Sequence, residues 1–239
     1  MIESNIAVGI DAGSTAAKLV RFDGRRILAS RVVDARDWPS LLKMVKPREV
    51  VCTTGYFRRN VRHDRTLTEI SAARLGVARY FPDAELIIDL GGQDTKVIDL
   101  RNLTLQMNDR CSAGTGAFLV QAARYLGVTV EGLAGLAARA GRTVDINSTC
   151  SVFALSEMIS VLEKGAKKED VAAGLHRALA RRIAELVPGA DNMVAIGGVA
   201  RNRSMIRALS DELGVKLMVP ERPQLVNALG AAASVLSPI

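Results

Sequence analysis

Two segments of the chain combine a carboxylate, a glycine turn and nearby polar side chains, a set of residue types that suits a bound polyphosphate. In each segment the acid follows a short apolar run, as expected at the end of a buried strand. Backbone N–H groups in glycine turns bind phosphate oxygens, and a carboxylate at a strand end can hold Mg2+ through water. The residues concerned are Asp11, Gly13, Ser14, Thr15 and Lys18 in the first segment, and Asp89, Gly91, Gly92 and Gln93 in the second.

A third glycine turn, at Gly197 and Gly198, follows the apolar run 193–196 and precedes a helical pattern. A turn between a strand and a helix suits the base and ribose of a nucleotide. One strand followed by two glycines is a weak signal, since most such turns are only turns. Three of them in one chain predict a site for a nucleoside triphosphate.

Two of the three cysteines lie in loops of small and polar residues before predicted helices: Cys111 in NDRCSAGTG and Cys150 in NSTCSVFALSE. N–H groups at a helix N-terminus stabilise a thiolate, so both thiols are candidate metal ligands. Two thiolates are too few for a cubane cluster, but a two-fold dimer would supply the other two. Buried, unreactive thiols explain the pattern equally well. Cys52 follows two valines in a predicted strand and is typical of a small core residue.

An internal repeat indicates how these residues are positioned. GIDAGSTAAKLVRFDGRRIL and IIDLGGQDTKVIDLRNLTL share the order strand, Asp, glycine turn, strand, turn, strand, at an offset of about eighty residues. The repeat predicts an α/β protein of two facing halves whose acid-glycine loops meet in a cleft. We expect one domain over residues 1–84, joined by a C-terminal helix at 225–239, and a second over 85–224.

The remaining pattern supplies the other elements. Hydrophobic periodicity and turn residues predict helices at 37–45, 67–80, 116–126, 130–140, 152–162, 169–187, 201–213 and 227–235. They predict strands at 6–10, 18–22, 27–33, 49–53, 86–88, 95–100, 103–107, 193–196 and 216–219, with a two-residue connection at 101–102.

Composition excludes several classes of protein. Hydrophobic residues make up 49% of the chain and aromatic residues 4%, so the cores must be aliphatic. The sequence has neither an apolar run long enough to span a membrane nor a secretion-signal layout at its start, so we expect a cytoplasmic protein without a membrane partner. The net charge is +7, but the basic residues are scattered without interleaved aromatic residues, which argues against a nucleic-acid partner.

The sequence resembles the actin, heat-shock chaperone and sugar-kinase superfamily through DAGSTAAK, DLGGQD and AIGGVARN. This resemblance implies an α/β fold of two duplicated ribonuclease-H-like domains, the actin-like ATPase fold. It further implies ATP and Mg2+ in the cleft between the domains, and closure of the cleft about a hinge.

A closer resemblance covers essentially the whole chain. GIDAGSTAAK, QMNDRCSAGTGAFL and NSTCSVFALSEMIS are similar to segments of the activator ATPases of 2-hydroxyacyl-CoA dehydratases, a family that also contains the ATPase subunits of benzoyl-CoA reductase. The resemblance implies a homodimer with one 4Fe-4S cluster at its axis, held by Cys111 and Cys150 of each copy. It implies that Asp11 and Asp89 hold magnesium and orient water. The implied nucleotide contacts are Gly13, Ser14, Thr15, Lys18, Gly91, Gly92, Gln93, Gly197, Gly198 and Gln224.

The activity implied by this family is ATP-driven electron transfer. An electron would come from ferredoxin or flavodoxin and pass at low potential to an iron-sulfur dehydratase, a benzoyl-CoA reductase-like enzyme or another double-cubane-cluster enzyme. Coupling a nucleotide cleft to a distant cluster requires an element with two arrangements.

Two other functions remain as hypotheses. A small-molecule kinase of the same fold, such as an amino-sugar kinase, would leave the cysteines incidental. It would need a catalytic acid beside the sugar hydroxyl, and no loop acid is evidently dedicated to that role. A nucleic-acid-binding module would show binding that weakens steeply with salt and ignores ATP.

Overall fold

The structure is a computed structural model that describes residues 6–109, 111–147 and 150–236, so the ends of the predicted first and last segments (1–5 and 237–239) lie outside the described residues. The first of two sheets consists of β1 (Ala7–Ala12), β2 (Ala16–Phe22), β3 (Ile27–Asp34), β4 (Val50–Thr54) and β5 (Arg65–Thr66). Its strand order is β3-β2-β1-β4-β5. β1, β2 and β3 are antiparallel neighbours, whereas β4 is parallel to β1 and to β5.

The second sheet repeats this arrangement. It consists of β6 (Leu86–Leu90), β7 (Thr95–Asp99), β8 (Thr104–Asn108) and β9 (Met193–Ile196), in the order β8-β7-β6-β9. Antiparallel pairs join β6 to β7 and β7 to β8, and β9 is parallel to β6. Asp11 pairs in register with Lys18 in the first sheet, and Asp89 pairs with Lys96 in the second. The predicted α/β fold of two equivalent halves is therefore confirmed.

The α-helices are α1 (Trp38–Leu41), α2 (Glu69–Val77), α3 (Gly116–Leu126), α4 (Val130–Ala138), α5 (Ser151–Glu163), α6 (Lys168–Ala184), α7 (Arg203–Leu213) and α8 (Val226–Leu236). Several begin at a capping residue: the Thr68 side chain accepts a hydrogen bond from Ser71 N at the start of α2, and Thr129 accepts one from Gly132 N at the start of α4. In the described part of the chain, no helix is long and apolar enough to cross a membrane.

Two helices lie between the sheets. α8 packs on the first sheet through Ala228 and Leu229, and α2 packs on the second through Ala73 and Val77. The two helices are in backbone contact, since a Cβ at Gly230 of α8 would collide with a carbonyl of α2. Small residues permit this approach, which explains why an alanine-rich core with few aromatic residues suffices.

Larger layers cover the outer faces of the sheets. α1 covers the first sheet, and α3 to α7 pack against the second in the largest core cluster. This layer positions the loop that contains Cys111 and the N-terminus of α5. The domain boundaries at 84/85 and 224/225 stay predictions.

Three sequence predictions were wrong in detail. Residues 216–219 form a single bridge, from Met218 to Val194, because the segment makes too few backbone pairs for a strand. The β7–β8 connection has four residues rather than two: Asp99 Oδ1 accepts from Arg101 N and Asn102 Oδ1 from Thr104 N, and these side-chain turns lengthen the loop. Asp89 lies within β6 rather than at its end.

Candidate functional site

The two predicted acid-glycine loops meet where β1 and β6 end. Asp11 and Asp89 are both buried, with 4% and 6% of their surface exposed. A Cβ on Gly92 would collide with the side chain of Thr15, so glycine is required for the two loops to touch. The structure therefore brings together the two phosphate-binding candidates that the sequence places about eighty residues apart.

In the first loop, acid and lysine form a pair. Lys18 Nζ donates to Asp11 Oδ2 at 3.0 Å, and Gly13 lies against both side chains. Burial by itself would lower the pKa of Lys18, but Asp11, with smaller contributions from Asp89 and Glu69, raises it overall. Lys18 is thus a fixed cation beside the loop of Gly13, Ser14 and Thr15.

The second loop contains a cation that sequence reasoning missed. Lys96 Nζ contacts Asp94 Oδ2 at 2.5 Å and Glu69 Oε2 at 3.1 Å. Burial alone would lower the pKa of Lys96, but Asp89, Glu69 and Asp94 raise it. Burial also raises the pKa of Glu69, against the opposing effect of Lys96. A signal for Lys96 was present, because it stands seven residues after Asp89, as Lys18 stands after Asp11.

Asp89 receives a hydrogen bond from the other half of the molecule. Asn227 Nδ2, in the first turn of α8, donates to Asp89 Oδ2 at 2.9 Å. Burial raises the pKa of Asp89, while Lys96 and the Asn227 hydrogen bond oppose that shift. Asn227 was also missed, since nothing in the sequence relates residues so far apart.

Two buried oxygens at the cleft have no hydrogen-bond partner among the described residues. They are Oδ1 of Asn227 and Oγ1 of Thr54, whose residue pairs with Asp11 across β1 and β4. Buried polar atoms are normally paired, with water or a ligand where protein offers no partner. These atoms and the two carboxylates form an oxygen-rich donor set that fits a hydrated magnesium ion.

The third glycine turn lies against the second acid. Gly197 has φ +92°, and a Cβ there would collide with the Leu90 carbonyl and Asp89. Its N–H donates to Pro223 O at 3.0 Å, so Gln224, in the short 3-10 turn Pro223–Leu225, follows directly on a contact of this loop. The structure thus places Gly197, Gly198 and Gln224 beside the acid loops.

A buried histidine anchors the segment after this turn. Asn202 Oδ1 accepts from Met205 N to cap α7, and its Nδ2 donates to His176 Nε2 at 2.9 Å. His176 Nδ1 in turn donates to Ala172 O at 2.7 Å within α6. Burial lowers the pKa of His176, so the ring is neutral, as this pair of bonds requires. Sequence analysis did not single out either residue.

The two candidate ligand cysteines lie at adjoining turns. Cys111 Sγ accepts from Ala113 N at 3.4 Å, and Cys150 is the N-cap residue of α5. The residues that follow them, Ser112 and Ser151, share a hydrogen bond of 2.8 Å between their hydroxyls. Both thiols are partly exposed, whereas Cys52 is buried and burial raises its pKa.

The surface beside the cysteines is apolar. Val152 and Phe153, in the first turn of α5, are 65% and 66% exposed. Within residues 6–109, 111–147 and 150–236, no group of three or more His, Cys, Asp or Glu side chains could hold a metal ion.

Comparison with known proteins shows the family to which the chain belongs. Residues 44–234 match the model of the BadF/BadG/BcrA/BcrD ATPase family. The 2-hydroxyisocaproyl-CoA dehydratase activator of Clostridioides difficile is 40% identical over 246 residues, covering 94% of this chain and 92% of that protein. The (R)-2-hydroxyglutaryl-CoA dehydratase activating ATPase of Acidaminococcus fermentans is also 40% identical, and the match covers 94% of this chain and 95% of that protein.

A solved structure shows the same fold over almost the full length. The activator of the 2-hydroxyisocaproyl-CoA dehydratase from Clostridium difficile with bound ADPNP superposes with a TM-score of 0.91 at 38% identity, covering 97% of this chain and 94% of that one. With a family model that spans most of the chain and relatives of 40% identity that cover nearly all of it, this chain is an ATPase and belongs to the BadF/BadG/BcrA/BcrD ATPase family.

Proposed function

We propose that this ATPase uses ATP hydrolysis to deliver a low-potential electron to a partner iron-sulfur enzyme, from a 4Fe-4S cluster shared by two copies of the chain. The observation that carries the proposal is the Ser112–Ser151 hydrogen bond, which holds the turns of Cys111 and Cys150 together at the surface. Two partly exposed thiols, one on each of two adjoining turns, supply half of the four thiolate ligands that a cubane cluster needs.

The nucleotide would lie in the cleft between the acid loops. Asp11 and Asp89 would hold magnesium and orient the attacking water, with Lys18 on the phosphates. Backbone N–H groups of the two glycine loops would bind phosphate oxygens, and the Gly197–Gly198 turn with Gln224 would accept base and ribose. The proposed nucleotide contacts are Gly13, Ser14, Thr15, Lys18, Gly91, Gly92, Gln93, Gly197, Gly198 and Gln224.

The cysteines fit a cluster that lies on a two-fold axis. The chain has three cysteines, and Cys52 is buried in β4, where its Sγ lies 3.5 Å from Ser234 Oγ. That leaves Cys111 and Cys150, and a second copy would supply the same pair. When bound, the cluster supplies one-electron chemistry at low potential. Exposed Val152 and Phe153 next to Cys150 are suited to burial against that copy.

The partners follow from the relatives. Proteins 40% identical to this chain are named as activators of 2-hydroxyacyl-CoA dehydratases. We therefore propose an iron-sulfur dehydratase, a benzoyl-CoA reductase-like enzyme or another double-cubane-cluster enzyme as acceptor, and ferredoxin or flavodoxin as donor. A cytoplasmic location suits three free cysteines, since the cytosol keeps thiols reduced.

Metal analysis of variants tests the proposal. Anaerobically purified protein should be brown and contain about four iron and four sulfide per dimer. Cys111→Ser and Cys150→Ser should each lose the iron, because each removes two of four ligands from the dimer. Cys52→Ser is the matched control and should keep it. A colourless wild-type protein that phosphorylates a sugar would instead establish the kinase alternative.

A further inference from the structure

Direct hydrogen bonds join the second glycine loop to the segment that follows Cys111. Gly116 N donates to Gly91 O at 3.0 Å, and Ala117 N donates to Gly92 O at 2.7 Å. Next to these bonds, Thr95 Oγ1 donates to Gly114 O at 2.6 Å. The two segments are thus connected by three short bonds.

These bonds satisfy the N-terminus of α3. The first N–H groups of a helix have no partner inside it and are usually satisfied by a capping side chain or by water. Thr115, the N-cap residue of α3, makes no side-chain capping bond. The carbonyls of Gly91 and Gly92 take that place, so the glycine loop is itself the cap of α3.

The junction formed by these three hydrogen bonds is enclosed on the side of Thr95. Thr95 is 1% exposed and pairs in register with Asn108 across β7 and β8. Asn108 Nδ2 donates to Cys111 O at 3.0 Å, while Thr95 bonds to Gly114. The open end of this hairpin therefore holds both ends of the cysteine turn. Water cannot readily replace a buried bond of this kind.

The planarity of the peptide bond links the two faces of the glycine loop. The carbonyl of Gly91 shares a rigid plane with the N–H of Gly92, and the carbonyl of Gly92 shares one with the N–H of Gln93. Any rotation of these planes when a phosphate binds the two N–H groups would also turn the carbonyls that accept from Gly116 and Ala117. Phosphate contact on one face of the loop and the cap of α3 on the other are thus linked through two rigid peptides.

We propose that Thr95 is a positioning residue that couples the glycine loop 91–94 to the cysteine turn 111–114. The inference rests on the proposed function, because it takes Gly92 and Gln93 as phosphate contacts. Thr95 begins the strand that follows the glycine loop, and its hydroxyl fixes the turn to that strand. Without this hydroxyl, the loop can move and leave the cysteine turn behind.

Three variants isolate the Thr95 hydroxyl. Thr95→Val keeps the shape and removes the donor, and Thr95→Ser keeps the donor. Thr115→Val is the matched control: Thr115 is equally buried, and its Oγ1 donates at 3.1 Å to Ser112 O, within the turn and not across the junction. Nucleotide affinity is measured for each by titration with Mg-ADPNP.

The readout is hydrogen–deuterium exchange of the amides of the cysteine turn 111–114 in the full-length protein as purified, with and without saturating Mg-ADPNP. The amides of Gly116 and Ala117 donate directly to the glycine loop and respond to it with or without the Thr95 hydroxyl, so they are not used. Wild type, Thr95→Ser and Thr115→Val should show a nucleotide-dependent change of about threefold to tenfold, the size of one hydrogen bond. Thr95→Val should bind the nucleotide and lose most of that change.

Two results would overturn the proposal: the same nucleotide response in Thr95→Val as in Thr115→Val, or a wild type that binds nucleotide without any change at the amides of the turn 111–114. The second result decides the matter even where Thr95→Val fails to fold. The variants can be compared in protein without a cluster, so an absence of iron refutes the proposed electron transfer and leaves this measurement intact.

Discussion

Replacement of Asn227 by alanine would remove the amide that donates to the buried Asp89 carboxylate from the opposite half of the molecule. Hydrogen bonds to charged groups contribute about 1.5–3 kcal/mol. Asn227 is partly exposed and its bond to Asp89 partly buried, so the lower value applies. About 1.5 kcal/mol corresponds to roughly a tenfold change in a rate or an equilibrium.

The sign of the effect follows from the charge on Asp89. Burial already raises the pKa of Asp89, and the Asn227 hydrogen bond opposes that rise by favouring the ionised form. Its loss should raise the pKa further, so that a larger fraction of Asp89 is protonated and unable to hold magnesium. Hydrolysis should therefore suffer most at low pH and recover as the pH rises and Asp89 ionises.

The mutation should affect the free energy of unfolding at the opposite end of the pH range from its effect on hydrolysis. Because the folded pKa of Asp89 lies above its unfolded value, its contribution to stability is complete below the unfolded pKa and is lost as the pH rises through the folded pKa. In Asn227→Ala this loss is larger, so the free energy of unfolding should fall below that of wild type by about 1.5 kcal/mol only at the higher pH values.

The assay is the pH profile of kcat/KM for Mg-ATP, together with urea unfolding at the same pH values. Asn227→Ala should be about tenfold slower than wild type on the acidic limb and approach it on the alkaline side. Ser234→Ala is the control, since it removes a hydroxyl on α8 that donates to Ala231 O at 2.7 Å, far along the helix from Asp89. A loss by the same factor at every pH would refute the reasoning, because it would mean that Asn227 does not act through the ionisation of Asp89.

Two further changes test the framework of the site. Gly197→Ala should lower the free energy of unfolding by about 1–3 kcal/mol in urea, because φ is +92° and the new Cβ meets the Leu90 carbonyl; Gly198→Ala, whose Cβ meets nothing within 4 Å, should leave the unfolding midpoint unchanged. Asp170 accepts from the N–H groups of Gly141 and Arg142, bonds that lower its pKa. Its stabilisation should therefore be present at neutral pH and be lost as the pH falls through the folded pKa, so Asp170→Asn should differ from wild type at neutral pH and converge with it in acid.

The internal repeat accounts for most of what the sequence alone could predict. Strands are local, with a period of two, and a repeated strand, acid and glycine turn requires the same hairpin twice. The acid-lysine register of Asp11 with Lys18 follows from that hairpin, and the same logic would have found Lys96 beside Asp89. Single strands without a hairpin partner are harder to predict from sequence, which is why the strand predicted at 216–219 was wrong.

Contacts between distant elements could not be read in the same way. Glu69 reaches Lys96 because α2 packs on the second sheet, and Asn227 reaches Asp89 because α8 packs on the first. Both depend on how closely two small-residue helices approach between the sheets, which is a property of packing rather than of local pattern. The Ser112–Ser151 bond depends likewise on the layer of helices over the second sheet.

Asp11 and Asp89 occupy equivalent positions in the two halves but have different hydrogen-bond partners, and this difference separates their roles. Asp11 is bonded to the lysine of its own hairpin, so the pair moves as one unit with the first sheet. Lys96 instead reaches Asp94 and Glu69, and Asp89 is bonded by Asn227 from the helix that packs on the first sheet. Movement between the sheets would therefore change the hydrogen bonding of Asp89, whereas the bond between Asp11 and Lys18 lies within one sheet. Asp89, which shares β6 and its glycine loop with the junction to the cysteine turn, is the acid at which closure of the cleft and the state of that turn can be linked.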